Sequence, residues 1–231
     1  MKVGIIVFPG SNCDSDCLFA CRDILQIDAF YIWHKSYDLK GADLIILPGG
    51  FSYGDYLKCG AIAKLSPVMD LVYSFAIKGG YVLGICNGFQ ILVEMGLLPG
   101  ALLRNRDLKF ICKHVFLKCI NTNTIFTNMI NKKDVLNIPI AHKAGNYFIE
   151  NETLKNLYKN DQIVFKYCDE NGNVDLESNP NGSCDNIAGI INEKGNILGM
   201  MPHPERAVEG LIGSIDGLVI FSSIINTIMG V

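Results

Sequence analysis

Three apolar runs, each stopped by glycine, constrain this chain more than any other feature. They are "VGIIVF" (residues 3 to 8, then Pro9-Gly10), "ADLIILPGG" (42 to 50) and "YVLGIC" (81 to 86, then Asn87-Gly88). Their apolar residues are continuous and do not alternate with polar ones. A strand of that kind is buried on both faces, the condition met in a parallel sheet covered by helices. The stretches between them suit this. Residues 14 to 25 and about 61 to 78 have helical spacing, and "AFYIWH" (29 to 34) reads as a further strand. Strands alternating with helices predict an α/β fold with a mostly parallel central sheet. Ligands of such sheets gather at the carboxyl ends of the strands. The glycine turns after Leu47 and around Cys86 both fall at such ends.

The second half reads differently. "FICKHVFLKCI" (110 to 120), "QIVFKYC" (162 to 168) and residues 187 to 203 roughly alternate, the last with a hairpin through Glu193-Lys194-Gly195-Asn196. A closing helix is expected over about 213 to 229. With no linker or repeat in view, residues 1 to 231 are expected to form one domain with a small antiparallel region before the final helix.

Composition removes several function classes. A formal charge of -3 and a pI near 5.8 give no basic footprint for nucleic acid. No apolar run reaches membrane-spanning length, and the N-terminus lacks the pattern of a signal peptide. Nine cysteines, an odd number in a chain of 231 residues, are expected to be free thiols of a reducing, cytoplasmic protein. Cys13, Cys17 and Cys21 recur every fourth residue and are expected to be buried packing on one helix face. No metal is expected, because neither CxxC spacing nor histidine accompanies them.

Cys86 stands in the middle of a strand-to-helix turn, with Gly84 and Gly88 on either side. Such a turn projects its central side chain off the sheet. It also leaves the first helix amides without intrahelical acceptors, so the thiol faces the positive end of the helix dipole, which favours thiolate. "GxCxGxQ" therefore has the form of a nucleophile elbow, although a buried cysteine in an ordinary turn would look similar. A thiolate nucleophile needs a base and an orienter. Of four histidines, His203 in "MMPHPERA" is held between two prolines, and Glu205 follows two residues later. On an extended backbone the two side chains would share a side, leaving one imidazole nitrogen to face the thiol. His34 is expected to pack in or beside a strand, and His114 to lie on a strand surface.

"GICNGFQ" with "PHPE" resembles the class I (triad) glutamine amidotransferases. Longer stretches resemble one branch of that family, the glutaminase subunits (PurQ type) of phosphoribosylformylglycinamidine synthase of purine biosynthesis. They are "FPGSNCD" (8 to 14), "LPGGFSYGDYLKCGAIA" (47 to 63), "GICNGFQILVEMGLLPGAL" (84 to 102), "NRDLKFIC" (105 to 112), "PIAHKAGNYF" (139 to 148), "NPNGS" (179 to 183) and "IAGIINEKGNILGMMPHPERA" (187 to 207). The resemblance implies a flavodoxin-like fold, with helices on both faces of the sheet. It implies Cys86 as nucleophile, His203 as general base and acid, and Glu205 as the residue orienting His203. The oxyanion would be bound by the backbone amides of Gly50 and Asn87, and Gln90 would help hold glutamine. It further implies that glutamine is hydrolysed to glutamate and ammonia through a glutamyl thioester. The ammonia would pass to a PurL-type synthetase, which uses ATP and Mg to convert formylglycinamide ribonucleotide to formylglycinamidine ribonucleotide, with a small PurS-type bridging subunit. The chain has no phosphate-binding "GxxxxGK[ST]", so no cofactor is expected in this subunit.

One departure stands out: the family reads "AHGEGN" where this chain has "AHKAGN", with Lys143 and Ala144 replacing a glycine and an acid. His142 in that loop is expected to make a structural hydrogen bond, with the rim of the site as its other possible place. The tyrosines of "SYGDY" (52 to 56) either line the glutamine pocket or order a loop, and Arg206 is expected to pair with a nearby acid. The alternative function is a stand-alone cysteine hydrolase of the same fold. In such proteins the histidine typically lies close behind the cysteine, whereas here Asn87 occupies the next position and the histidine is in the distal "PHPE".

Overall fold

The structure, a computed structural model, describes residues 1–230. The chain begins with β1 (Lys2–Val7) and α1 (Asp14–Leu18), which runs on into a π-helical turn, Phe19–Ile24. β2 (Asp28–Trp33), β3 (Leu44–Leu47), α2 (Pro67–Ile77), β4 (Tyr81–Ile85) and α3 (Asn87–Glu94) follow. The middle holds β5 (Ala101–Leu103), β6 (Ile111–Cys119), β7 (Val135–His142), β8 (Asn146–Phe148) and α4 (Asn151–Lys159). The chain closes with β9 (Ile163–Cys168), β10 (Ile187–Ile191), β11 (Ile197–Met200) and α5 (Leu218–Met229).

Nine strands make one sheet in the order β2-β1-β3-β4-β11-β10-β9-β6-β7, and β5 pairs with β8 beside it. The strands from β2 to β11 are parallel, as their continuous apolar runs predict; β3 is buried along its whole length. From β11 outward the pairs are antiparallel, so the alternating segments continue the same sheet. The crossover from β1 to β2 runs one way along the sheet and that from β3 to β4 the other. Right-handed connections then put α1 and α2 on opposite faces. No helix among the described residues is long and apolar enough to cross a membrane.

The sequence reading is corrected in four places. The helix expected from about residue 61 is split into a short turn, Ala63–Leu65, and α2. Pro67 starts α2 and forces Ser66 out of helical geometry, at ψ 139°. The closing helix begins at Leu218, since Gly213 adopts a left-handed φ of 103° in a loop pinned by a bridge between Glu209 and Ser214. β7 was not anticipated because Pro139 interrupts "VLNIPIAH". It is an edge strand, where a missing N–H costs no ladder bond, and its alternating burial is that of a true strand. The short helix α4 was also missed.

β4 lies between β3 and β11, with Leu47 opposite Gly84 and Met200 opposite Ile85. Cys86 therefore leaves the sheet between two exit loops. Gly49-Gly50 follows β3 on one side, and His203 follows β11 on the other.

Candidate active site

Cys86 holds φ 51° and ψ -102°, a strained conformation for a residue with a Cβ. Its N–H donates to Met200 O (2.7 Å), and its carbonyl accepts from Gln90 N (3.1 Å), so sheet and helix fix the turn from both ends. The flanking glycines are required by packing. A Cβ on Gly88 would overlap the Leu47 carbonyl, and one on Gly84 would press on the Gly88 backbone. The Cys86 thiol is buried and reaches toward Ala141 O at 3.8 Å.

His203 is anchored by its own N–H, which donates to Pro139 O (2.8 Å). Its Nδ1–H donates to Glu205 Oε1 at 2.7 Å, a carboxylate being able only to accept. The backbone between them is a short 3-10 turn, Pro204–Arg206, and the pair forms without the extended geometry expected from sequence. Both side chains are almost wholly enclosed, at 2% and 0% exposure. Burial alone would lower the His203 pKa. The charges of Glu205 and Cys86 outweigh it and hold the imidazole well above the usual histidine value. Arg206 donates to Asp16 (2.8 Å), the acid partner expected for it.

Cys13 is the residue that sequence reasoning placed incompletely. It is buried, as are Cys17 and Cys21, but it lies beside the histidine pair. Cys13, His203 and Glu205 each bring one donor atom within 4.8 Å of the others. Burial pushes the Cys13 thiol up, so it stays protonated. The available signal was position: "SNC" follows β1 at the same carboxyl edge as the two glycine turns.

On the other side of the elbow, Asn87 and Gln90 form a chain of bonds. The Asn87 Oδ1 accepts from Ser52 N (3.3 Å), and Asn87 Nδ2 donates to Gln90 Oε1 (2.8 Å). Gln90 Nε2 donates to Ala144 O (2.6 Å). The "KA" departure therefore leaves the backbone role of its loop intact, since Lys143 O and Ala144 O are the groups used. A cavity of about 450 Å³ opens there, lined by Phe51, Asp55, Leu103, Arg104, Lys143 and Ala144. Of the tyrosines of "SYGDY", Tyr53 orders the loop, its hydroxyl bonding His34 Nδ1 (2.7 Å) and Ser66 Oγ (2.9 Å), whereas Tyr56 is exposed. A second cavity, about 500 Å³, reaches His203 and Glu205. The largest, about 610 Å³, lies away from Cys86, between α2 and α4.

Gly50 has φ 128°, and a Cβ there would meet the Asn12 backbone at 2.7 Å. The Asn87 N–H opens α3 and has no acceptor within the helix. His114 is an exposed strand residue bonded to Asn137 (3.0 Å). His142 is buried and bonded to Asn105 Oδ1 (3.0 Å), the structural bond expected, and burial drives its pKa down to about 3. Four buried side-chain polar atoms have no partner among the described residues: Ser52 Oγ, His142 Nε2, His203 Nε2 and Glu205 Oε2. All four belong to segments that converge on Cys86. Buried polar groups are ordinarily hydrogen-bonded, so four unpaired atoms gathered here set this region apart.

The sequence matches the CobB/CobQ-like glutamine amidotransferase domain over residues 1–216, and the fold and elbow are those of a glutamine amidotransferase. It is 54% identical over 224 residues to phosphoribosylformylglycinamidine synthase subunit PurQ of Chlorobium luteolum, covering 97% of each chain. It is 52% identical over 229 residues to the same subunit of Acaryochloris marina, covering 99% of this chain and 97% of that one. The solved structure of PurLQS from Thermotoga maritima superposes with a TM-score of 0.86 at 44% identity, over 98% of both chains. The chain belongs to the PurQ family of phosphoribosylformylglycinamidine synthase subunits.

Proposed function

We propose that the chain hydrolyses glutamine at Cys86 and passes the ammonia to a synthetase. The observation carrying this is the junction of a strained elbow thiol with a buried, carboxylate-held imidazole between the exit loops of β3 and β11. Cys86 Sγ, its proton passed to His203, attacks the carboxamide carbon, and the Gly50 and Asn87 amides stabilise the oxyanion that forms. Losing one such donor typically costs about 10²–10³ in rate. His203, held by Glu205, protonates the departing nitrogen, which leaves as ammonia. It then takes a proton from the water that cleaves the thioester. Glutamine is assigned to the 450 Å³ cavity, and Gln90 helps hold it by bonding the carbonyl of Ala144, which lines that cavity.

Family membership and the likeness to a solved PurLQS structure support partners of the PurL and PurS types. ATP and Mg then serve the synthetase, and this subunit's chemistry needs no cofactor. Nine free cysteines support a cytoplasmic location.

The test is glutamate release from glutamine, with and without a PurL-type synthetase, a PurS-type subunit, ATP and formylglycinamide ribonucleotide. Release should rise in the full mixture and vanish in Cys86→Ala. Release insensitive to that substitution would sink the nucleophile assignment.

A further inference from the structure

A buried thiol, an imidazole and a carboxylate within 4.8 Å of one another form a donor set with its own chemistry. His203 turns Nδ1 toward Glu205 (2.7 Å), and the second carboxylate oxygen, Glu205 Oε2, is buried without a hydrogen-bond partner. His203 and Glu205 line a cavity of about 500 Å³ together with Asp16, Arg206 and Glu209. Asp16 is paired with Arg206, and Glu209 adds a carboxylate to the approach. Sulfur, nitrogen and oxygen donors together suit zinc, whose bonds to them are about 2.3, 2.0 and 2.1 Å. Such bond lengths put the donors of a tetrahedral site roughly 3.3–3.7 Å apart, a short closure from the separation here.

We infer that Cys13, His203 and Glu205 form an inhibitory site for a soft divalent cation of the zinc type, with water from the cavity as the remaining ligand. As the metal binds, Cys13 Sγ exchanges its proton for the metal–sulfur bond and the proton goes to solvent. The imidazole coordinates through Nδ1, the nitrogen facing Glu205; the Nδ1 proton moves to Nε2 in the neutral ring, or to solvent from the charged one. No electrons are transferred. The bond to Glu205 is replaced by the metal and Nε2 is left carrying a proton, so it cannot accept one and glutamine hydrolysis stops. The inhibition rests on the function proposed above, whereas the binding does not.

The two are separated by working in a Cys86→Ala background, where no hydrolysis is measured. Cobalt(II), added as a spectroscopic substitute for zinc, should give one thiolate-to-cobalt charge-transfer band in the near ultraviolet. Zinc should displace it at one equivalent. Cys13→Ser in that background should remove the band. Glu205→Gln, which keeps the side-chain shape, should weaken zinc binding by about 10-fold or more, as loss of a ligand does. Cys112 also lines the cavity, and Cys112→Ser should leave the band in place. A band that survives Cys13→Ser, or that follows Cys112, would overturn the site. With Cys86 intact, zinc should inhibit glutamate release, and Cys13→Ser should raise the inhibitory concentration about 10-fold relative to its own metal-free rate. Inhibition that Cys13→Ser leaves unchanged would equally overturn it.

Discussion

His203 Nδ1 and Glu205 Oε1 lie 2.7 Å apart, both side chains buried, while the second oxygen of Glu205 has no partner. The carboxylate thus keeps a proton on Nδ1 and leaves Nε2 as the nitrogen that exchanges one. An amide at position 205 can instead present N–H to Nδ1 and turn the tautomer round. Glu205→Gln should therefore lower kcat by about 10²–10⁴, the range seen when a triad acid is made neutral, with KM near that of the parent. Steady-state glutamate release measures it. A loss under about threefold would reduce Glu205 to a packing role.

Gln90 ties two parts of the site together through the bonds from Asn87 and to Ala144. Gln90→Leu leaves the Ala144 carbonyl and the Asn87 amide without these partners, and the loop bordering the 450 Å³ cavity is released. The expected outcome is a KM for glutamine raised about 10-fold with a smaller change in kcat, the pattern of lost ground-state binding. Alkylation of Cys86 by iodoacetamide should keep its rate. A fall in kcat at constant KM would place Gln90 in the chemical step instead.

The parallel half of the fold, the elbow at Cys86 and the His203–Glu205 pair were readable because each leaves a local mark. A continuous apolar run marks a doubly covered strand, paired glycines mark the elbow, and two prolines mark His203. Cys13 left no such mark. Its nearness to His203 comes from β1, β3, β4 and β11 lying side by side, which no spacing in the chain records. β7 was hidden for the opposite reason: Pro139 is a strong local signal against a strand, and the edge of the sheet is where that signal fails.

Gly88 is the tightest point of the elbow. A methyl group there would occupy the space of the Leu47 carbonyl oxygen, a backbone atom of β3 that cannot rotate away. Gly88→Ala should cost about 3 kcal/mol or more, or prevent folding, at the upper end for overpacking. Gly210 has open space around its would-be Cβ, and Gly210→Ala should change stability by no more than about 0.5 kcal/mol. Urea midpoints of the two variants provide the comparison. Equal midpoints would show that β3 and α3 can move apart.

His142 sets an acid limit on stability. Asn105 Nδ2 donates to Lys109 O (2.8 Å) and His142 O (2.9 Å), which fixes the amide orientation and makes Asn105 Oδ1 an acceptor. His142 Nδ1–H donates to that oxygen, and burial, reinforced by the charge of His203, lowers the folded pKa to about 3. In the unfolded chain an ordinary histidine titrates near 6.5. Between those values the unfolded state binds more protons, so stability is kept above about pH 6.5 and is lost as pH falls toward 3. Between pH 7 and 5 this one group should remove about 2 kcal/mol. His142→Asn places an amide N–H where Nδ1–H was and cannot take up a proton in this range. Its unfolding free energy, measured in urea at pH 7 and pH 5, should fall by about 2 kcal/mol less than the parent's over the same step. Equal falls would mean that His142 is already charged in the folded protein at pH 5, with its Nε2 partnered by an acceptor.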